Sequence, residues 1–81
     1  EYKVKVIAKL EAVLKIEAPN KRGLLVLAWH IGNRHIPAEI HQDYILIKQD
    51  QVINKMLKLL GAKVLKKKLS FTPELGAYYK H

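Results

Sequence analysis

Four histidines are the side chains of this 81-residue chain best suited to ligating a borderline metal, since cysteine is absent and thiolate sites are excluded. His35 stands in the segment Trp29-His30-Ile31-Gly32-Asn33-Arg34-His35-Ile36-Pro37, behind the apolar run Leu24 to Trp29. Gly32 and Asn33 are residue types that accept a left-handed backbone and so end helices. The spacing therefore predicts a helix that stops at Gly32-Asn33 and releases His35 into a turn. A histidine at a helix exit is exposed, largely neutral at pH 7 and a good ligand. One imidazole holds an ion weakly; a symmetric dimer that sets two copies side by side would supply two. His30 reads as a helix-surface or capping residue near the C-terminal dipole. His41 has an i, i+2 spacing to Glu39, which suits a surface metal pair or a solvated strand face. His81 is the last residue.

Catalytic chemistry finds little to work with. The only serine is Ser70, outside any nucleophile motif, and there is no Gly-rich phosphate loop. No pair of carboxylates is spaced for acid–base work. The chain reads as a non-enzyme.

The elements that must position these residues follow from periodicity. Residues 2–8 alternate and residues 12–18 alternate again, predicting two strand segments or one bent strand broken near Leu10-Glu11. Pro19 punctuates, and Asn20 is a helix N-cap. Leu24, Leu25, Leu27, Ala28 and Ile31 fit a mostly buried helix over 21–31, which Gly23 weakens slightly. Residues 36–41 alternate with Ile36, Ala38 and Ile40 inward, and Pro37 marks an edge strand. Tyr44 to Lys48 is its hairpin partner across Gln42-Asp43. Asp50 caps a second helix with Val52, Ile53, Met56, Leu57 and Leu60 at helical spacing, and Gly61 stops it. Residues 63–71 form a last strand, and 72–81 a tail. The order β-α-β-β-α-β is α+β and ferredoxin-like, with two helices on one face of an antiparallel sheet.

Three blocks carry a family resemblance. The segment Trp29 to His35 resembles the signature of the urease accessory metallochaperones, the UreE family. Asp50-Gln51-Val52 with Met56-Leu57 and Leu60-Gly61 is similar to the helix that follows in that family. Phe71-Thr72-Pro73-Glu74-Leu75-Gly76-Ala77-Tyr78 resembles its tail. The resemblance implies the C-terminal, metal-binding domain, with residues 1–81 as a single domain and the family's N-terminal domain missing from this sequence. It implies that His35 binds nickel at a dimer interface, that C-terminal histidines such as His81 join the metal, and that His30 is often retained. It also implies a homodimer that delivers nickel to the apo-urease complex with a urease-activating GTPase, in the cytoplasm. Zinc or copper would suit imidazoles as well. Gln49 and Gln51 stand where some relatives have histidines, so those peripheral sites are expected to be missing. Asn33 and Arg34 read as turn and pairing residues, Trp29 as core or dimer interface, and Phe71, Pro73 and Tyr78 as packing for the tail.

Composition bounds the rest. A chain of 81 residues buries only about 60% of its unfolded surface, so packing or oligomerisation must stabilise it. No apolar run reaches the roughly 18 residues of a membrane span, and no signal-peptide pattern is present. Because the chain begins at Glu1, a fragment of a longer protein is expected. The net charge of +8 favours acidic partners. A basic ferredoxin-like sheet is also the scaffold of RNA-binding modules, but that mode needs aromatic residues on the sheet. Here Tyr2 and Tyr44 are the strand tyrosines, so nucleic acid is disfavoured. The run Lys66-Lys67-Lys68 is a solvated face or a docking site.

Overall fold

The computed structural model describes residues 9–74. Six elements follow in order: β1 (Glu11–Glu17), α1 (Lys21–Asn33), β2 (Glu39–Ile40), β3 (Ile45–Lys48), α2 (Gln51–Leu59) and β4 (Lys63–Leu69). The sheet order is β2-β3-β1-β4, with each neighbouring pair antiparallel. Both helices pack on one face, and the fold is α+β and ferredoxin-like. The strand expected over 2–8 lies outside the described residues. Among the described residues no helix is long and apolar enough to cross a membrane.

Register places the core. Leu14 pairs with Ile47 and Ile16 with Ile45, so all four point to the helices. There they meet Leu24, Leu27 and Ile31 of α1 and Leu57 of α2. Burying side chains of this size stabilises the fold by about 1.5–3 kcal/mol each relative to exposure. Both helix starts are capped as their sequences predict. The Asn20 Oδ1 accepts from the Gly23 amide at 2.7 Å, and the Asp50 Oδ1 from the Ile53 amide at 3.0 Å. Gly23 has a packing role, because a Cβ there would sit 3.2 Å from the Asn20 Oδ1 and 3.3 Å from the Ala18 Cβ.

Several expectations are corrected. Helix α1 is not mostly buried: Leu25 is 71% exposed and Trp29 63%, so Trp29 is not core. Val52 on α2 has helical spacing with the core residues yet is 74% exposed. These positions fall on the helices' outer surfaces, and a two-layer fold has nothing beyond them. Regular pairing in the 36–41 segment shrinks to Glu39–Ile40. Pro37 lacks a donor, and the Ile36 amide is spent on closing α1. Ile40 keeps its inward direction opposite Ile45 but is 51% exposed at the sheet edge. The last strand ends at Leu69, two residues short of expectation.

The segment after β4 crosses the end of the sheet and docks on β2. The Thr72 amide donates to Glu39 Oε1 at 2.6 Å, and the Glu74 amide to the Ala38 carbonyl at 2.7 Å. In return the Ile40 amide donates to Glu74 Oε2 at 3.2 Å. The open edge of β2 is thereby occupied by the chain's own residues.

Candidate metal centre

Helix α1 ends at Asn33, but its left-handed residue is His35, two positions beyond Asn33. Gly32 and Asn33 are still helical, Arg34 is the C-cap, and His35 takes the left-handed conformation at φ 56°. The His35 amide donates to the Gly32 carbonyl at 3.0 Å and the Ile36 amide to the Ile31 carbonyl at 3.3 Å. This is the Schellman pattern, with Ile36 folding back over the apolar turn it closes. Helix α2 ends in the same way. The Gly61 amide reaches the Lys58 carbonyl and the Ala62 amide the Leu57 carbonyl, both at 3.0 Å, with Gly61 at φ 94°. The two halves of the fold thus share one helix exit. The second half uses glycine for the left-handed residue, as the backbone prefers. The first half uses His35, the only non-glycine with positive φ among the described residues.

That geometry sets His35 out in solvent. Among the described residues its ring has no hydrogen-bond partner. It borders two shallow hollows. One, of about 660 Å³, lies between α1 and β2 and includes Ile31, Ala38, Ile40 and Glu74. The other, of about 500 Å³, includes Glu11, Asp50, Phe71 and Pro73. A carboxylate therefore lines each hollow. Arg34 caps α1 through Nη1, which donates to the His30 carbonyl at 3.0 Å.

The other candidates are placed differently. His30 is half-buried with its ring edge-on to Trp29, centroids 5.0 Å apart. His41 meets Glu39 Oε2 through Nε2 at 2.5 Å and stacks on Tyr44 at 4.4 Å, so the i, i+2 pair forms as a histidine–carboxylate contact. His81 lies outside the described residues, as does Tyr78. Gln49 donates to the Val13 carbonyl at 3.4 Å, and Gln51 is exposed at the start of α2. Among the described residues no three His, Cys, Asp or Glu side chains gather as a metal-holding group.

The contacts between β2 and the segment after β4 have no counterpart in the sequence pattern. Glu39 ties β2 both to His41 and to Thr72, and Glu74 clasps β2 while bordering the His35 hollow. Spacing gave no signal for contacts 33 and 34 residues apart.

Comparison with known proteins adds an independent line. The profile for the UreE urease accessory protein, C-terminal domain, matches residues 11–81. The chain is 49% identical over 78 residues to a urease accessory protein UreE from Chelativorans, covering 96% of this chain and 49% of that protein. It is 45% identical over 78 residues to one from Synechococcus, covering 96% and 50%. To one from Bradyrhizobium it is 45% identical over 75 residues, covering 93% and 36%. The chain thus spans half or less of the length of these relatives.

Proposed function

Since the chain belongs to the UreE urease accessory protein family, whose C-terminal domain it matches, we propose that it binds nickel through His35 and hands the ion on during urease metallocentre assembly. The observation that carries this reading is the left-handed backbone at His35. A β-carbon in that conformation costs about 1–2 kcal/mol, and the matching exit of α2 avoids the cost with Gly61. A strained, solvent-facing side chain with no hydrogen-bond partner among the described residues supports a site kept for something outside the chain.

The donor chemistry fits a loosely held cargo. One exposed imidazole does not complete a shell, and the described residues of one chain gather no group of three ligating side chains around it. A second copy would supply a second His35 across an isologous interface. Support for such a dimer lies on α1, where Leu25 and Trp29 present an apolar outer surface one turn apart, with Val26 beside them. His81 would add a ligand from the tail. His30 and His41 are secondary ligands in this reading, since each already has an aromatic neighbour, and His41 a carboxylate as well. A low ligand count and solvent access let the ion leave by ligand exchange. The receiving side is the apo-urease complex with its activating GTPase, in the cytoplasm, and the domain performs no catalysis itself.

A dimerisation module that binds no metal is the rival, and the exposed α1 surface favours it equally. Isothermal titration with nickel, run on the chain and on His35→Ala, separates the two. Binding of about one ion per dimer, lost in a variant that stays folded, supports metal transfer. Equal titration of both proteins, or of neither, removes His35 from the mechanism.

A further inference from the structure

The positive charge of this chain is concentrated on one side. Residues 51–70 contain six lysines, Lys55, Lys58, Lys63, Lys66, Lys67 and Lys68, and no Asp or Glu, which is six of the net eight positive charges. They lie on α2 and on β4, which among the described residues is the edge strand farthest from β2. Register turns Lys66 and Lys68 to the helix side, since Lys66 pairs with the core residue Leu14 and Lys68 with Ala12. Among the described residues Lys63 is held by Glu17 at 4.0 Å, whereas Lys55, Lys58, Lys66, Lys67 and Lys68 have no carboxylate within 4.0 Å. All five are exposed. On the outer surface of α2, Val52 and Leu59 stand two turns apart, 74% and 87% exposed, with Lys55 between them.

We propose that the α2–β4 side is a docking surface for an acidic, leucine-bearing segment of another protein. Lysines along an edge strand also serve to prevent sheet-to-sheet pairing. That role explains alternate positions of β4, but not Lys55, Lys58 or the bare Val52 and Leu59 of the helix. Nucleic acid would use the same charge, but it calls for aromatic stacking or for arginine forks. Residues 51–70 contain no aromatic residue and no arginine. Acidic side chains interspersed with apolar ones match what is present.

Placement gives the surface a use. Three strand spacings separate β4 from β2, about 14 Å. A partner seated along β4 therefore leaves the hollow between α1 and β2, which His35 borders, open. The inference stands without the nickel reading.

The test is fluorescence anisotropy of the 81-residue chain with three labelled probes at two salt concentrations. The probes are a 15-residue polyglutamate, the same peptide with leucine at every fourth position, and a 15-nucleotide single-stranded DNA. The leucine-bearing peptide is expected to bind tightest and to weaken about tenfold in Lys55→Gln/Lys66→Gln/Lys68→Gln. A variant with equal charge loss elsewhere, Lys9→Gln/Lys21→Gln/Arg22→Gln, should change affinity less than threefold. Val52→Ser/Leu59→Ser should erase the advantage of the leucine-bearing peptide over polyglutamate. Equal weakening by both charge variants, DNA binding tighter than either peptide, or no peptide binding would each overturn the proposal. All substitutions are at exposed positions, and circular dichroism confirms that each variant is folded.

Discussion

Replacing His35 with glycine should make the domain more stable while removing the proposed metal ligand. At φ 56° the histidine carries the cost of a left-handed L-residue, about 1–2 kcal/mol. Glycine relieves that cost but has a freer unfolded chain, which takes back about 0.5–1 kcal/mol. The ring is exposed and makes no intramolecular hydrogen bond among the described residues, so little contact energy is lost. The net gain is about 0.5–1 kcal/mol, or roughly 2–8 °C in Tm for a domain of this size. Gly61→Ala is the mirror control, with a loss of about 0.5–1 kcal/mol, because a Cβ there meets nothing within 4 Å and only φ opposes it. Unfolding should be followed by circular dichroism in EDTA at two protein concentrations, because dimerisation would make the midpoint concentration-dependent. Nickel at 100 times its Kd should then stabilise the parent by about 2.7 kcal/mol and the glycine variant by nothing. If His35→Gly instead destabilises the metal-free chain by 1 kcal/mol or more, the ring holds the fold together and the reasoning fails.

Further outcomes are expected. Nickel affinity should fall by about tenfold per pH unit for each ligating imidazole below about pH 6, since a protonated ring cannot ligate; equal affinities by titration at pH 7.5 and 5.5 would exclude histidine ligation. Trp29→Asp should leave the fold within about 1 kcal/mol of the parent, as an exposed position does, and shift sedimentation from dimer to monomer. Gly32→Ala should stabilise the chain by about 0.5–1 kcal/mol, because Gly32 is helical and its Cβ would meet nothing within 4 Å; urea unfolding measures it. Glu39→Ala should cost about 0.5–1.5 kcal/mol by removing the acceptor of the exposed Thr72 amide, and should speed proteolysis at residues 70–73.

How much the sequence disclosed depended on the range of the forces involved. Caps at Asn20 and Asp50 and the stop at Gly61 are local, set within one helical turn, and they appear where their residue types predict. The strand alternation of Leu14 and Ile16 gave the core face for the same reason. Burial on α1 was overread, since Leu25 and Leu24 look alike in composition and only the second layer decides which is covered. The stop of α1 at Gly32-Asn33 was legible, but the left-handed position falls two residues further, at His35, although Gly32 and Asn33 are better left-handed residues. Tertiary closure of Ile36 over Ile31 overrode that preference. The contacts of Glu39 and Glu74 depend on the path of the chain across the sheet, which no periodicity encodes.

The docking of residues 72–74 on β2 has a consequence for folding during synthesis. Glu39 is made 33 residues before Thr72 and Ile40 is made 34 before Glu74. At ribosomal rates of about 5–20 residues per second, the edge of β2 waits about 2–7 s for its cover. Through that interval a short strand with a half-exposed isoleucine offers unpaired amides to any neighbouring nascent chain. Co-translational crowding on polysomes is therefore where this domain is most vulnerable to mispairing, and the Pro37 just before β2, which cannot donate to a ladder, limits how far such pairing can spread.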